Sequence, residues 1–134
     1  MESIGNLKEL SASKSLQQDY PLEWKLVQTR GQVPAGVAHH QTIVVGKNLY
    51  LIGGVMLGRD YNQSQIYRLD LSTMIWDRIS TRSSGEKEEL PGQIDEHTAV
   101  LAGNRVVVFG GFEDGTRSNT IHLFDVETLK WSIL

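Results

Sequence analysis

One string occurs twice in this chain at fixed spacing, and it restricts the possible folds more than any other feature. A histidine is followed 13 positions later by paired glycines: His40 by Gly53-Gly54, and His97 by Gly110-Gly111. An aspartate is followed six positions later by a tryptophan: Asp70 by Trp76, and Asp125 by Trp131. Pro34 and Pro91 each stand six positions before their histidine. Only two intervals vary. Gly54 to Asp70 is 16 positions against 14 from Gly111 to Asp125, and Trp24 to Pro34 is 10 against 15 from Trp76 to Pro91. Fixed spacings broken by two variable gaps describe a rigid unit with two adjustable loops.

A period of 52 to 57 residues is that of propellers and arrays. Within each unit the segments are short, apolar and separated by turns. In the first, His40–Val45 is a β-branched run expected to be a strand buried on both sides. Gly46-Lys47-Asn48 is a tight turn, and Leu49–Ile52 is a second strand antiparallel to the first. Gln65–Asp70 and Ile75–Ile79 are the third and fourth strands. The second unit repeats this with His97–Leu101, Arg105–Phe109, Thr120–Asp125 and Lys130–Ile133. No helical period intervenes, so the expected class is all-β.

Upstream, Leu22, Trp24 and Leu26 alternate with Glu23 and Lys25, the pattern of a half-buried strand over 22–28. Residues 1–20 are polar and Ser/Gln/Lys-rich and are expected to be a mostly disordered leader. Ile4, Leu7 and Leu10 are too few apolar residues to hold a helix alone.

Composition removes several function classes. The chain has 134 residues and a net charge of −3, so nothing favours nucleic acid or an anionic membrane surface. It has no Cys, hence no disulfide, thiolate metal site or cysteine nucleophile. No run is long and apolar enough to span a membrane, and the first residues lack the basic and apolar regions of a signal peptide. The expected compartment is the cytoplasm, with the nucleus as the alternative.

The repeated residues resemble the kelch repeat: paired glycines after the second strand, an aromatic and Asp ending the third, and a Trp six residues on. Here these are Gly53-Gly54, Leu69-Asp70 and Trp76, then Gly110-Gly111, Phe124-Asp125 and Trp131. The resemblance covers about residues 22–134. It departs from the family pattern at Leu69, where an aromatic is usual, and at Val37 and Ile94, where arginine is frequent. It implies kelch-type β-propeller blades: two four-stranded antiparallel blades over 37–80 and 94–134, within a partial propeller over 21–134. The strand at 22–28 is then surplus, of fourth-strand type, and in propellers such a strand usually completes the last blade. Two blades cannot close a ring, which takes at least four. The expectation is an incomplete ring that needs its remaining blades or further copies of the chain.

Chemistry candidates are few. His40 and His97 hold equivalent places in neighbouring blades, which points to scaffold rather than to metal ligands. Asp70 and Asp125 recur with the repeat, which favours a turn role. No Gly-x-Ser-x-Gly or other triad pattern is present, and Gly110-Gly111 opens no helix that could cradle phosphate. No cofactor is expected. Strands alternate in direction through a blade, so the second-to-third loops and the loops between blades emerge on one face. The segments 55–64, 81–95 and 112–119 are therefore the candidate partner-binding loops. Arg59, Tyr61, Arg82, Phe112, Glu113 and Arg117 are their candidate contacts, since Arg and aromatics are favoured at binding hot spots. The expected function is a non-catalytic scaffold or adaptor that binds another protein. The alternatives are a propeller segment of an enzyme whose catalytic part lies elsewhere, and a structural propeller in a large cytoskeletal or ciliary assembly.

Overall fold

A computed structural model of the chain describes residues 22–56, 65–84 and 90–134. Fifteen short strands follow in order: β1 Arg30–Gly31, β2 Val37–Ala38, β3 Gln41–Val45, β4 Asn48–Ile52, β5 Val55–Met56, β6 Ile66–Asp70, β7 Ile75–Ile79, β8 Arg82–Ser83, β9 Ile94–Asp95, β10 Thr98–Ala102, β11 Arg105–Phe109, β12 Phe112–Glu113, β13 Thr116–Arg117, β14 Ile121–Asp125 and β15 Lys130–Ile133. They form two blade-like sheets, ordered β1-β7-β6-β4-β3 and β10-β11-β14-β15-β8, and two smaller sheets, β2-β5 and β13-β12-β9. The fold is all-β and the sheets are open, as expected for partial propeller blades.

Turn chemistry sets each blade. Gly46 and Gly103 take positive φ at the first loop position of the β3–β4 and β10–β11 hairpins, which closes them after two residues. The Asp-to-Trp spacing has a direct cause. Asp70 Oδ1 accepts the Ser72 and Thr73 amides at 2.8 and 3.2 Å, and the Met74 amide reaches the Asp70 carbonyl at 2.7 Å. Asp125 repeats this with the Glu127, Thr128 and Leu129 amides. The aspartate thus ends the third strand and folds a four-residue turn, so Trp lands second in the fourth strand. Lys47 Nζ, 3.0 Å away, and the turn amides hold the Asp70 carboxyl below its usual range. The Thr128 and Glu127 amides do the same for Asp125, against its desolvation.

The core lies between the blades. Tyr50, Ile52 and Ile66 on the front of the first blade, with Ile94, meet Val106, Val108, Phe124 and Trp131 on the back of the second. Alternation along each strand makes this possible, because residues i and i+2 share a face. The opposite face of the first blade carries a smaller cluster of Leu51, Met56 and Tyr67, with Val37 and Trp76 packed against it.

Three features differ from the sequence expectation or refine it. Each large sheet carries an additional two-residue parallel strand, β1 or β8, along its fourth strand. The inner strands β3 and β10 are not buried on both sides: Thr42, Val44, Thr98 and Val100 are exposed, because no further blade covers those faces. Residues 22–29 join no sheet, and Leu22, Trp24 and Leu26 are almost wholly exposed. Both blades already own a fourth strand, so neither offers this segment an edge.

Gly53-Gly54 is the tightest point of the junction. Both take positive φ, and Gly54 donates its amide to the Ile94 carbonyl at 2.8 Å. A Cβ on Gly53 would run into the Ile94 carbonyl and the His97 ring, whereas a Cβ on Gly110 would meet nothing within 4 Å. Both substitutions to Ala share a left-handed backbone penalty of about 1–2 kcal/mol. Gly53→Ala adds the collision, so its denaturant midpoint should fall clearly below that of Gly110→Ala. Equal midpoints would show that the junction yields freely at Gly53.

Candidate partner-binding face

The two small sheets are made from the loops singled out in the sequence. β2, at the end of the segment entering the first blade, pairs with β5, which starts that blade's second-to-third loop. β9, at the end of the loop between the blades, pairs with β12, and β12 turns back into β13. Each inter-blade connection is therefore tied to the second-to-third loop of the blade it enters. Backbone bonds also cross between the blades, from Gly54 N to Ile94 O at 2.8 Å and from Glu96 N to His39 O at 3.1 Å.

Within the second small sheet, Phe112 stands opposite Arg117 on one side and Asp95 on the other. Phe112 is half-buried and Arg117 is exposed. Glu113 is engaged inside the protein. Its Oε1 accepts the Gly92 amide at 3.1 Å, and its Oε2 accepts the Ser118 hydroxyl at 3.0 Å. The buried His122 Nε2 lies 3.1 Å from Oε1, not aligned as a directed hydrogen bond. Desolvation pushes the Glu113 carboxyl up, but the Gly92 amide, His122 and Ser118 outweigh it and hold the group below its usual range. Asp114 adds a second clamp: its Oδ1 accepts the Gln93 amide, and its own amide donates to the Gln93 carbonyl, both at 2.8 Å. The last residues of the 81–95 loop are thus fastened to the 112–119 hairpin by two adjacent carboxylates.

The structure brings Phe112, Glu113 and Arg117 together. Arg82 lies in a different sheet, opposite Lys130 on the outer edge of the second blade. Arg59 and Tyr61 lie outside the described residues. The sequence reading overlooked Asp114, although Asp114-Gly115 is a hairpin signal in its own right.

The histidines sit at the junction beneath this face. His97 is buried, with neither ring nitrogen hydrogen-bonded among the described residues. Its ring lies over Gly53 of the first blade, while His40 packs beside Gly54. Burial, and then the neighbouring His40, push the His97 pKa down to about 4. His39 Nδ1 and Glu96 Oε1 form a half-exposed pair at 3.6 Å across the same joint. Among the described residues, no three His, Asp or Glu side chains come together as a metal-binding group.

Comparison with known proteins agrees with this architecture. The sequence model of the KLHDC2/KLHL20/DRC7 Kelch-repeats domain matches residues 17–134. Kelch domain-containing protein 3 of Homo sapiens is 31% identical over 118 residues, covering 81% of this chain and 30% of that protein. Its Rattus norvegicus counterpart is 30% identical over the same length and shares. Acyl-CoA-binding domain-containing protein 4 of Arabidopsis thaliana is 28% identical over 131 residues, covering 96% of this chain and 19% of that protein. The chain spans less than a third of the length of these relatives.

Proposed function

Because the chain belongs to the kelch-repeat family, we propose that it is a non-catalytic interaction module that binds another protein on the face carrying the 55–64, 81–95 and 112–119 loops. The observation that carries this reading is the β9–β12–β13 sheet, in which a half-buried aromatic, Phe112, stands beside an exposed cation, Arg117. An anchor of this kind is effective when its backbone is held before the partner arrives, since less ordering entropy is then lost on binding. The Glu113 and Asp114 clamps supply that hold. Glu113 acts here through positioning, and Phe112 and Arg117 make the contact. Arg59, Tyr61 and Arg82 are the further contacts in this proposal. The partner segment is a peptide or loop that offers a carboxylate to Arg117 and an apolar side chain to Phe112. The module works in the cytoplasm or nucleus.

The test is quantitative capture of binding partners from cell extract by the intact chain, followed by the same measurement with Phe112→Ala and Arg117→Ala. Hot-spot truncations cost about 2 kcal/mol or more, so recovery of a specific partner should fall about thirtyfold for the stronger of the two. Partner recovery unchanged in both variants would overturn the assignment of this face.

A further inference from the structure

The two blades fill one equivalent place with opposite chemistry. Gly92, Glu113 and His122 of the second blade correspond to Ala35, Met56 and Tyr67 of the first. These positions stand one after the repeated proline, two after the paired glycines and three before the aspartate. Folding brings both trios together. In the first blade all three line one cavity of about 250 Å³, and Met56 and Tyr67 belong to the smaller apolar cluster. In the second blade the Gly92 amide donates to Glu113 Oε1 at 3.1 Å, and His122 Nε2 lies 3.1 Å from that same oxygen. A methionine and a tyrosine are thus replaced by a carboxylate and an imidazole.

The blade fold therefore does not require polar groups at this place. They are also costly to keep there. His122 is 4% exposed, and attraction to a carboxylate offsets only part of the cost of taking both groups out of water. What the polar trio has and the apolar one lacks is direction. Glu113 Oε1 holds the 81–95 loop through Gly92, and Oε2 holds the far side of the hairpin through the Ser118 hydroxyl at 3.0 Å. Both of those partners are loop residues. His122 belongs to the blade itself. It stands in β14, with Val108 of β11 on one side and Ile133 of β15 on the other. Its ring meets the buried Trp131 edge-on, with centroids 6.1 Å apart and 84° between the planes.

We infer that His122 is a positioning residue of the loop face: its imidazole N–H holds the Glu113 carboxylate against the blade, and Glu113 in turn fixes the 81–95 loop against the β12–β13 hairpin. The inference rests on the loop-face function proposed above and adds what anchors that face to the scaffold. Phe112 precedes Glu113 in β12, and Arg117 stands opposite Phe112. Both are therefore presented in one arrangement as long as Glu113 is held, and a partner has less to order on binding. His122 lies buried beneath the face and acts through Glu113 alone.

The experiment is amide hydrogen exchange on the free 134-residue chain, read at Gly92 and along β12 and β13, with the β11 and β14 amides as the measure of an intact blade. Two substitutions separate the donor from the ring. His122→Gln keeps an N–H donor and gives up the ring, whereas His122→Phe keeps a ring for Trp131 and gives up the donor. Relative to β11 and β14, exchange at Gly92 and in the hairpin should accelerate at least about tenfold in His122→Phe and stay within about threefold of native in His122→Gln. In a Glu113→Met background, which carries the first blade's residue, His122→Phe should add no further acceleration. Native-like protection in His122→Phe, or equal loss in the two variants, would show a packing role and overturn the inference. The native chain supplies a check that needs no variant: the ring nitrogen shifts of His122 should place a proton on Nε2. A ring protonated on Nδ1 alone would turn a lone pair toward Glu113 and overturn the inference as well. Every readout uses the free chain, so it holds or fails separately from partner capture, which tests the loop face itself.

Discussion

Trp131→Ala is expected to destabilise the protein by about 3–5 kcal/mol, while Trp76→Ala costs about 1–2 kcal/mol and Trp24→Ala stays within about 0.5 kcal/mol. The repeat assigns all three tryptophans the same place in a blade, so the ranking comes from their surroundings. Trp131 is 0% exposed between the blades, with its ring centroid 5.1 Å from Phe124, which in turn lies 6.1 Å from Tyr50. Alanine there opens a cavity that rigid strands on both sides cannot close. Trp76 packs on the smaller cluster at the back of the first blade and keeps part of its surface in water. Trp24 is 99% exposed. Trp131 Nε1 has no hydrogen-bond partner among the described residues, so Trp131→Phe loses ring volume but also removes an unpaired buried donor. Its cost should fall well below that of alanine. Urea midpoints for the four variants check the series. Similar losses at Trp24 and Trp131 would mean that the junction between the blades is not the core.

The same series marks how far the sequence could be read. Strand order and hairpins were legible because local chemistry dictates them. Asp70 and Asp125 build their turns from their own carboxylates, and Gly46 and Gly103 close two-residue loops with positive φ. The paired glycines were legible as sites of crowding, since Gly53 has no room for a Cβ. Burial was less legible. Val44 and Val100 read as core because every blade is written as if it had two neighbours, and their exposure depends on which neighbours are present. β1 and β8 left no signal, because a two-residue parallel pairing is set by where the adjoining strand lies rather than by any pattern of its own. At the candidate site, loop length and residue type brought out Phe112, Glu113 and Arg117. The internal engagement of Glu113 was hidden, since it depends on Gly92 and His122, which become neighbours only after the blade has formed.

Acid should weaken the junction between the blades through His97. In the folded protein burial, reinforced by His40, lowers its pKa to about 4 against an ordinary 6.5. The unfolded chain therefore takes up the proton first as the pH falls. The His97 contribution to stability is intact above pH 6.5, declines between 6.5 and 4, and levels off below 4, where both states are protonated. That window corresponds to about 3 kcal/mol, lost because neither His97 ring nitrogen has a hydrogen-bond partner among the described residues to offset burying an imidazolium. Three carboxylates act on the same side of the pH scale: Asp70, Asp125 and Glu113 all have depressed folded-state values and also lose stabilising contacts as acid protonates them. The half-exposed His39–Glu96 pair is screened by solvent and contributes little. A variant isolates the histidine. His97→Gln carries no titrating group, so the difference in unfolding free energy between native protein and variant should shift by about 3 kcal/mol from pH 7 to pH 4, while the carboxylate contributions cancel. Parallel stability curves across that range would show that His97 is solvated on protonation and that the junction opens to admit water.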